Sequence, residues 1–203
     1  MDRFTFEEKN TGIIYETFEW DRTWIEHTPD TKTPRVLYIG DSISAPTRGM
    51  ATAAAEHKIF FDGFHTSKAV DNPVFKETLR LFTKQIPHVD AILFNNGLHG
   101  WHLDDESEYA EYYESFVKFL LEEYKVPTFI VLTTFVNKDY YERVKVRNAK
   151  ALEIAEKYSL PVIDFHSASL ENKHLIAQDN VHFTDPGYEI LAGEAVKAVK
   201  ELF

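Results

Sequence analysis

The 203-residue sequence predicts an α/β fold, a parallel five-stranded sheet with helices on both faces, and three observations carry that reading. Five short apolar runs, at residues 36–39, 58–61, 91–94, 129–132 and 161–165, have the length and composition of buried strands. Between and after them lie segments of helical period, at 43–55, 73–85, 105–124, 139–158 and 186–202. Strand and helix then alternate to the end of the chain without a repeat, a low-complexity tract or a second domain boundary. That order calls for parallel strands joined by right-handed helical crossovers.

Taken in order, residues 1–34 form a polar arm with scattered aromatics (Phe4, Phe6, Tyr15, Phe18, Trp20, Trp24) that ends in the turn-rich Thr-Pro-Asp-Thr-Lys-Thr-Pro. Two tryptophans are costly to leave in water, so the arm is expected to pack on the main body, 35–203, as a cover for a sheet edge or core end rather than as a substrate site. The first strand runs from Arg35 through Val36-Leu37-Tyr38-Ile39 into Gly40-Asp41-Ser42. It would deliver a serine to the sheet edge just where a helix begins. In the helix at 105–124, Tyr109, Tyr113, Phe116, Leu120 and Tyr124 recur every three or four residues with Glu and Lys opposite, which makes an amphipathic covering helix. The other helical segments read in the same way.

Composition removes several function classes. With 44% hydrophobic residues the chain can bury a full core. The balance of 22 basic against 33 acidic residues, a net charge of -11, repels polyanions, so neither nucleic acid nor an anionic membrane is an expected partner. The sequence has no cysteine, which excludes disulfides, thiolate chemistry and Cys-ligated metals. No signal-peptide core and no run of about 18 apolar residues is visible, so a cytoplasmic location is the default expectation.

Ligands of open parallel sheets bind at the carboxyl ends of the strands. There the sequence places Gly40-Asp41-Ser42, then Asn95-Asn96-Gly97-Leu98-His99-Gly100-Trp101-His102 after the third strand, then Asp179-Asn180-Val181-His182 before the last helix. A serine at a helix start is a nucleophile candidate, because free amides and the helix dipole favour developing negative charge; Asp41 or Ser42 as a plain N-cap is the alternative. Serine attack needs a base and a carboxylate to orient it, and His182 and Asp179 supply both from one loop. It also needs donors aimed at the oxyanion, for which the Ser42 N–H and the third-strand loop are candidates.

With these residues in place, the sequence from about Arg35 to Phe203 resembles the SGNH, or GDSL-type, hydrolases. Gly40-Asp41-Ser42-Ile43 is similar to their first block and Asp179-Asn180-Val181-His182 to their last. The resemblance implies a three-layer α/β/α sandwich with flavodoxin-like strand order, a Ser42–His182–Asp179 triad and no cofactor. The family's third block is Gly-x-Asn-Asp; here Gly97-Leu98-His99-Gly100 puts His99 where the oxyanion Asn stands, with Asn95 or Asn96 as alternative donors. The second-block glycine falls within Asp62-Gly63-Phe64-His65-Thr66-Ser67, at Gly63 or Ser67.

The expected activity is a serine esterase acting on a small-molecule or carbohydrate ester, acetyl above all. A lysophospholipase or thioesterase is the alternative enzyme, and a non-catalytic carbohydrate-binding or scaffold protein that has lost its oxyanion donors is the alternative of another kind. Trp101 either stacks on a sugar or lines an acyl pocket, or packs at the core rim. His99, His102, Asp104 and Asp105 look superficially like metal ligands, but the Asp pair reads better as a helix cap, and no metal is expected. His166 and Asp164 after the fifth strand are read as local structure.

Overall fold

The computed structural model describes residues 16–203; Phe4, Phe6 and Tyr15 of the arm lie outside them. In chain order the elements are β1 (Asp21–Trp24), β2 (Arg35–Gly40), α1 (Ser44–Ala54), β3 (Phe60–Thr66), α2 (Phe75–Thr83), β4 (Ala91–Phe94), α3 (Glu106–Tyr124), β5 (Thr128–Val131), α4 (Tyr141–Lys157), β6 (Val162–Ile163), α5 (Phe165–Glu171) and α6 (Asp185–Val199). The sheet runs β1-β3-β2-β4-β5-β6, and all pairs are parallel except β1 with β3. Leaving out β1, this is the flavodoxin-like order.

Period-two alternation along the strands divides the core. Val36, Tyr38, Phe61, Leu93 and Val131 face α1 and α6, which pack on each other. Leu37, Ile39, Phe64, Ile92, Phe94 and Ile130 face α2, α3 and α4. On the second face the α3 stripe drives Phe116 between Phe94 and Phe75, with ring centres 5.0 and 4.4 Å away. Each such fully buried ring contributes roughly 1.5–3 kcal/mol relative to leaving it in water. α3 starts where Asp105 accepts the Ser107 N–H at 2.8 Å, with Glu106 and Glu108 in its first turn, and stops at Lys125 in the left-handed conformation. Among the described residues no helix is long and apolar enough to cross a membrane.

Three expectations are corrected. The sheet has six strands rather than five parallel ones, because residues 21–24 of the arm add β1 as an antiparallel edge. All four β1 residues are exposed, so no apolar alternation marks the strand; backbone pairing holds it, together with the Thr66 hydroxyl and Lys68 ammonium on Asp21, both at 2.7 Å. The second strand continues to Thr66 instead of ending at Phe61. Its apolar pattern breaks because Asp62 is buried against Arg35 at 3.0 Å and His65 against Ser44 at 2.6 Å. α5 lies inside a stretch read as strand end and loop; at seven residues it is too short for a helical period to show.

The arm is fastened by more than β1. Arg35, fully buried, pairs with Asp62 and donates to the carbonyls of His27 (3.0 Å) and Asp30 (2.8 Å). Asp62 also accepts the Glu26 N–H at 2.7 Å. Trp24 stays half exposed beneath the Arg48 guanidinium, 5.2 Å from its ring centre, while Trp20 is partly buried and its backbone N–H donates to the Ser67 hydroxyl at 2.8 Å.

Candidate active site

The β2 chain leaves the sheet at Gly40 and turns through Asp41 and Ser42 before α1 begins at Ser44. Asp41 holds this turn: its carboxylate accepts the Ile43 N–H at 2.9 Å and its carbonyl accepts the Ser44 hydroxyl at 2.7 Å. Ile43 is the N-cap residue of α1 and no side chain caps the helix, so Asp41 shapes the turn before it, and the Ser42 hydroxyl is left for another partner. That partner is His182, 140 residues away in sequence, with Nε2 2.8 Å from Ser42 Oγ.

His182 is held from behind by its own loop. Its Nδ1 lies 2.6 Å from Asp179 Oδ2, while Asp179 Oδ1 accepts the Val181 and His182 N–H groups, both at 2.9 Å. Partial burial works against ionisation of Asp179, but the two amides and the imidazole outweigh it and hold the carboxyl at about 2. An ionised Asp179 accepts from Nδ1–H, which leaves the Nε2 lone pair facing the Ser42 hydroxyl. Asn180 takes the left-handed conformation at the loop's tip and is bound by Asn137, whose N–H donates to its carbonyl at 2.9 Å and whose side-chain amide donates to Asn180 Oδ1 at 3.0 Å. Hydroxyl, imidazole and carboxylate form one hydrogen-bonded chain able to pass a proton from Ser42 to His182.

Beneath the turn lies a pair that the sequence reading did not single out. His65 of β3 is 1% exposed and sets Nδ1 2.6 Å from the Ser44 hydroxyl, which in turn donates to the Asp41 carbonyl. Burial, reinforced by the Arg48 and Arg22 charges, pushes the imidazole down to about 3.

The candidate oxyanion residues are placed differently from one another. Gly63 lies inside β3, opposite Tyr38 of β2 and Trp24 of β1, and not in the loop beyond the strand. A Cβ there would fall 2.1 Å from His65 Nε2, so its bareness makes room for that ring. Ser67 does stand at the end of β3, but its N–H donates to the Trp20 carbonyl at 3.1 Å. Asn95 donates its side-chain amide to the Val131 carbonyl and Thr133 Oγ1, and Asn96, fully buried, donates to the Lys68 carbonyl at 2.9 Å. Gly97 passes so close to β5's continuation that a Cβ would sit 1.7 Å from Thr133 Oγ1. His99 turns its Nδ1 toward Glu16, 3.7 Å away, and His102 pairs with Asp71 at 2.8 Å. Trp101 is wedged between the Tyr140 ring, 4.7 Å away, and the Arg147 guanidinium, 4.2 Å away. Among the described residues none of these side chains hydrogen-bonds to Ser42 or His182.

What holds this loop is also absent from the sequence reading. Arg147 of α4, 1% exposed, donates to the carbonyls of Gly97 (3.3 Å), His99 and Gly100 (2.8 Å) and to Glu106 at 2.6 Å. Arg143, one helical turn earlier, binds the carbonyls of Trp101 and Leu103 and the other Glu106 oxygen. The available sequence signal was two arginines four apart on a helix otherwise patterned as a cover. Among the described residues no three His, Asp or Glu side chains converge as a metal site would require.

No family model and no curated protein sequence matches the chain. Solved structures do share its fold. The acetyl xylan esterase AlAXEase superposes with a TM-score of 0.66 at 14% identity, over 81% of this chain and 99% of that one. The C-terminal catalytic domain of peptidoglycan O-acetyltransferase A from Streptococcus pneumoniae gives 0.65 at 18%, over 83% and 94%. A member of the lipolytic G-D-S-L family from Veillonella parvula gives 0.65 at 18%, over 82% and 98%.

Proposed function

From a fold shared with GDSL-type hydrolases, we propose that this chain is a serine esterase with Ser42 as nucleophile, His182 as general base and Asp179 as the carboxylate behind it. The observation that carries the reading is the unbroken chain from Asp179 Oδ2 through His182 to Ser42 Oγ, at 2.6 and 2.8 Å. Ser42 Oγ attacks the ester carbonyl as its proton passes to Nε2. The tetrahedral intermediate collapses, and His182 returns the proton to the leaving alcohol. Water then repeats the sequence on the acyl-enzyme and releases the acid. Asp179 stays ionised throughout and stabilises the imidazolium.

The substrate we favour is a short acyl ester, acetyl above all, on a carbohydrate. The partly buried Trp101 and Tyr140 rings pack against each other at a tilt of 40°, with centres 4.7 Å apart, and make an aromatic patch where the loop that follows β4 meets the start of α4. The names of the acetyl xylan esterase and the O-acetyltransferase of the same fold agree with an acetyl group, and the second makes transfer to an acceptor other than water an alternative fate of the acyl-enzyme. One observation favours a non-catalytic carbohydrate-binding protein instead: the side-chain amides of Asn95 and Asn96 are both committed elsewhere. Hydrolysis of para-nitrophenyl acetate, butyrate and octanoate by the wild type and Ser42→Ala separates the readings. Turnover that falls with chain length and vanishes in the variant is expected; equal rates in both proteins would remove the esterase reading for these esters.

A further inference from the structure

A trans peptide directs its C=O and its N–H in opposite directions, and every described peptide of this chain is trans. The peptide joining His99 to Gly100 lies between two charges. Its carbonyl accepts from the Arg147 guanidinium, and its N–H donates to Glu16 Oε1 at 2.5 Å. Arg147 also takes the carbonyls of Gly97 and Gly100, so this one fork sets the orientation of the loop's peptides. The arginine cannot easily turn away, with its guanidinium 4.0 Å from the Tyr109 ring, 4.2 Å from the Trp101 ring and bonded to Glu106. Gly100 adopts φ +77, and a Cβ there would meet Ala69 at 3.0 Å, so the conformation that aims this N–H requires glycine. The loop begins beside the nucleophile turn: the Asn95 N–H donates to the Ile39 carbonyl, and Leu98 lines a small cavity together with Asp41 and Ile43.

The geometry points to the His99–Gly100 peptide N–H as an anion-receiving donor of the site, with Arg147 as the positioning residue that fixes its direction and Glu16 as the chain's own carboxylate resting on it. The ligand class is an oxyanion: a carboxylate in the resting protein and, on the esterase reading above, the tetrahedral intermediate formed on Ser42. The main-chain amide then does what a side-chain amide of this loop would otherwise do, and the guanidinium on the far side of the peptide polarises it. The state of Glu16 agrees. Burial disfavours its charge, yet its bonds to His99 and the Gly100 amide, with the charges of His99 and His102, hold its carboxyl below the ordinary value.

The test compares wild type, Arg147→Lys and Glu16→Gln by amide correlation spectra and by para-nitrophenyl acetate kinetics. The Gly100 amide proton should move upfield in Glu16→Gln and return downfield as acetate is added, whereas in Arg147→Lys acetate should not move it. In hydrolysis, Arg147→Lys should lose about a hundredfold in kcat, the scale of one lost oxyanion donor, with KM little changed. Glu16→Gln should raise kcat/KM, because substrate no longer competes with the carboxylate. A merely structural arginine would lower kcat only with the folded fraction measured in urea and would leave the acetate response intact. A Gly100 amide unmoved by Glu16→Gln, or an unchanged kcat in Arg147→Lys, overturns the inference. Wild type inert on every ester would end the esterase reading alone, and the acetate titration would still decide whether this amide holds an anion.

Discussion

Acidification below neutral pH should weaken this protein through the buried His65. His65 is buried with its imidazole pushed from 6.5 down to about 3, so between those values the unfolded chain binds a proton that the folded chain refuses. Stability is therefore fully present above the unfolded value and declines as pH falls toward the folded one. At about 1.4 kcal/mol per unit, the loss between about pH 7.5 and pH 5 comes to ~2 kcal/mol. Asn places a side-chain amide close to where Nδ1 stands, so His65→Asn keeps a partner for the Ser44 hydroxyl while removing the titration. Urea unfolding of both proteins at a series of pH values reads the difference. His166, also lowered by burial, contributes equally to both curves and cancels. Parallel curves for wild type and His65→Asn would refute the argument, because the slope would then come from other groups. The effect also reaches the site, since His65 supports the Ser44 hydroxyl that holds the Asp41 carbonyl beneath Ser42.

Four further outcomes are expected. Asp179→Asn should keep the fold, as that side chain is half exposed, and lose kcat by as much as about 10⁴-fold, because an amide no longer enforces the tautomer that leaves Nε2 free; a loss below tenfold would separate Asp179 from the chemistry. With its carboxyl at about 2, the stabilisation Asp179 gains from its loop persists above the ordinary carboxylate range and is lost only as pH falls toward 2, so the wild-type rate profile above about pH 4 should carry no Asp179 limb. Arg35→Met leaves Asp62 buried and unpaired and should cost roughly 3–5 kcal/mol in urea unfolding, whereas a cost below about 1 kcal/mol, the scale of exposed pairs, would mean that water reaches Asp62. Gly97→Ala drives a Cβ into Thr133 Oγ1 and should cost about 1–3 kcal/mol, with relief in the double variant Thr133→Gly; simple additivity would show that the loop had moved aside.

Much of this molecule was legible in one dimension. The five parallel strands and the long helices follow from period: Val36, Tyr38 and Leu93 against Leu37, Ile39 and Ile92 sort to opposite faces by alternation alone, and the α3 stripe needs only its spacing. Ser42, Asp179 and His182 were legible as candidates because a serine at the end of a buried strand, and a carboxylate three residues from a histidine before a helix, suggest their chemistry by residue type and local order. The 2.8 Å meeting of His182 with Ser42 is a fact of tertiary structure that the parallel sheet makes possible by bringing all strand ends to one edge.

What the sequence could not disclose has a common physical origin. β1 is held by main-chain hydrogen bonds and by polar contacts of Asp21 with Thr66 and Lys68, which leave no apolar alternation in the side-chain pattern. β3 continues through Asp62, Gly63 and His65, whose burial makes sense only with Arg35 and Ser44 opposite them. The loop after β4 looked like a string of side-chain candidates, with Asn95, Asn96 and His99 as donors and Trp101 as a stacking or pocket residue. Folding commits the Asn96 amide to Lys68, packs Trp101 against Arg147 and leaves the main chain turned by an arginine that lies 47 residues from Gly100. Periodicity and residue type determine which elements form and which groups can react. Which donors stay free to act is decided by pairings between distant residues, because each buried polar group must find a partner and the partner's identity exists only in three dimensions.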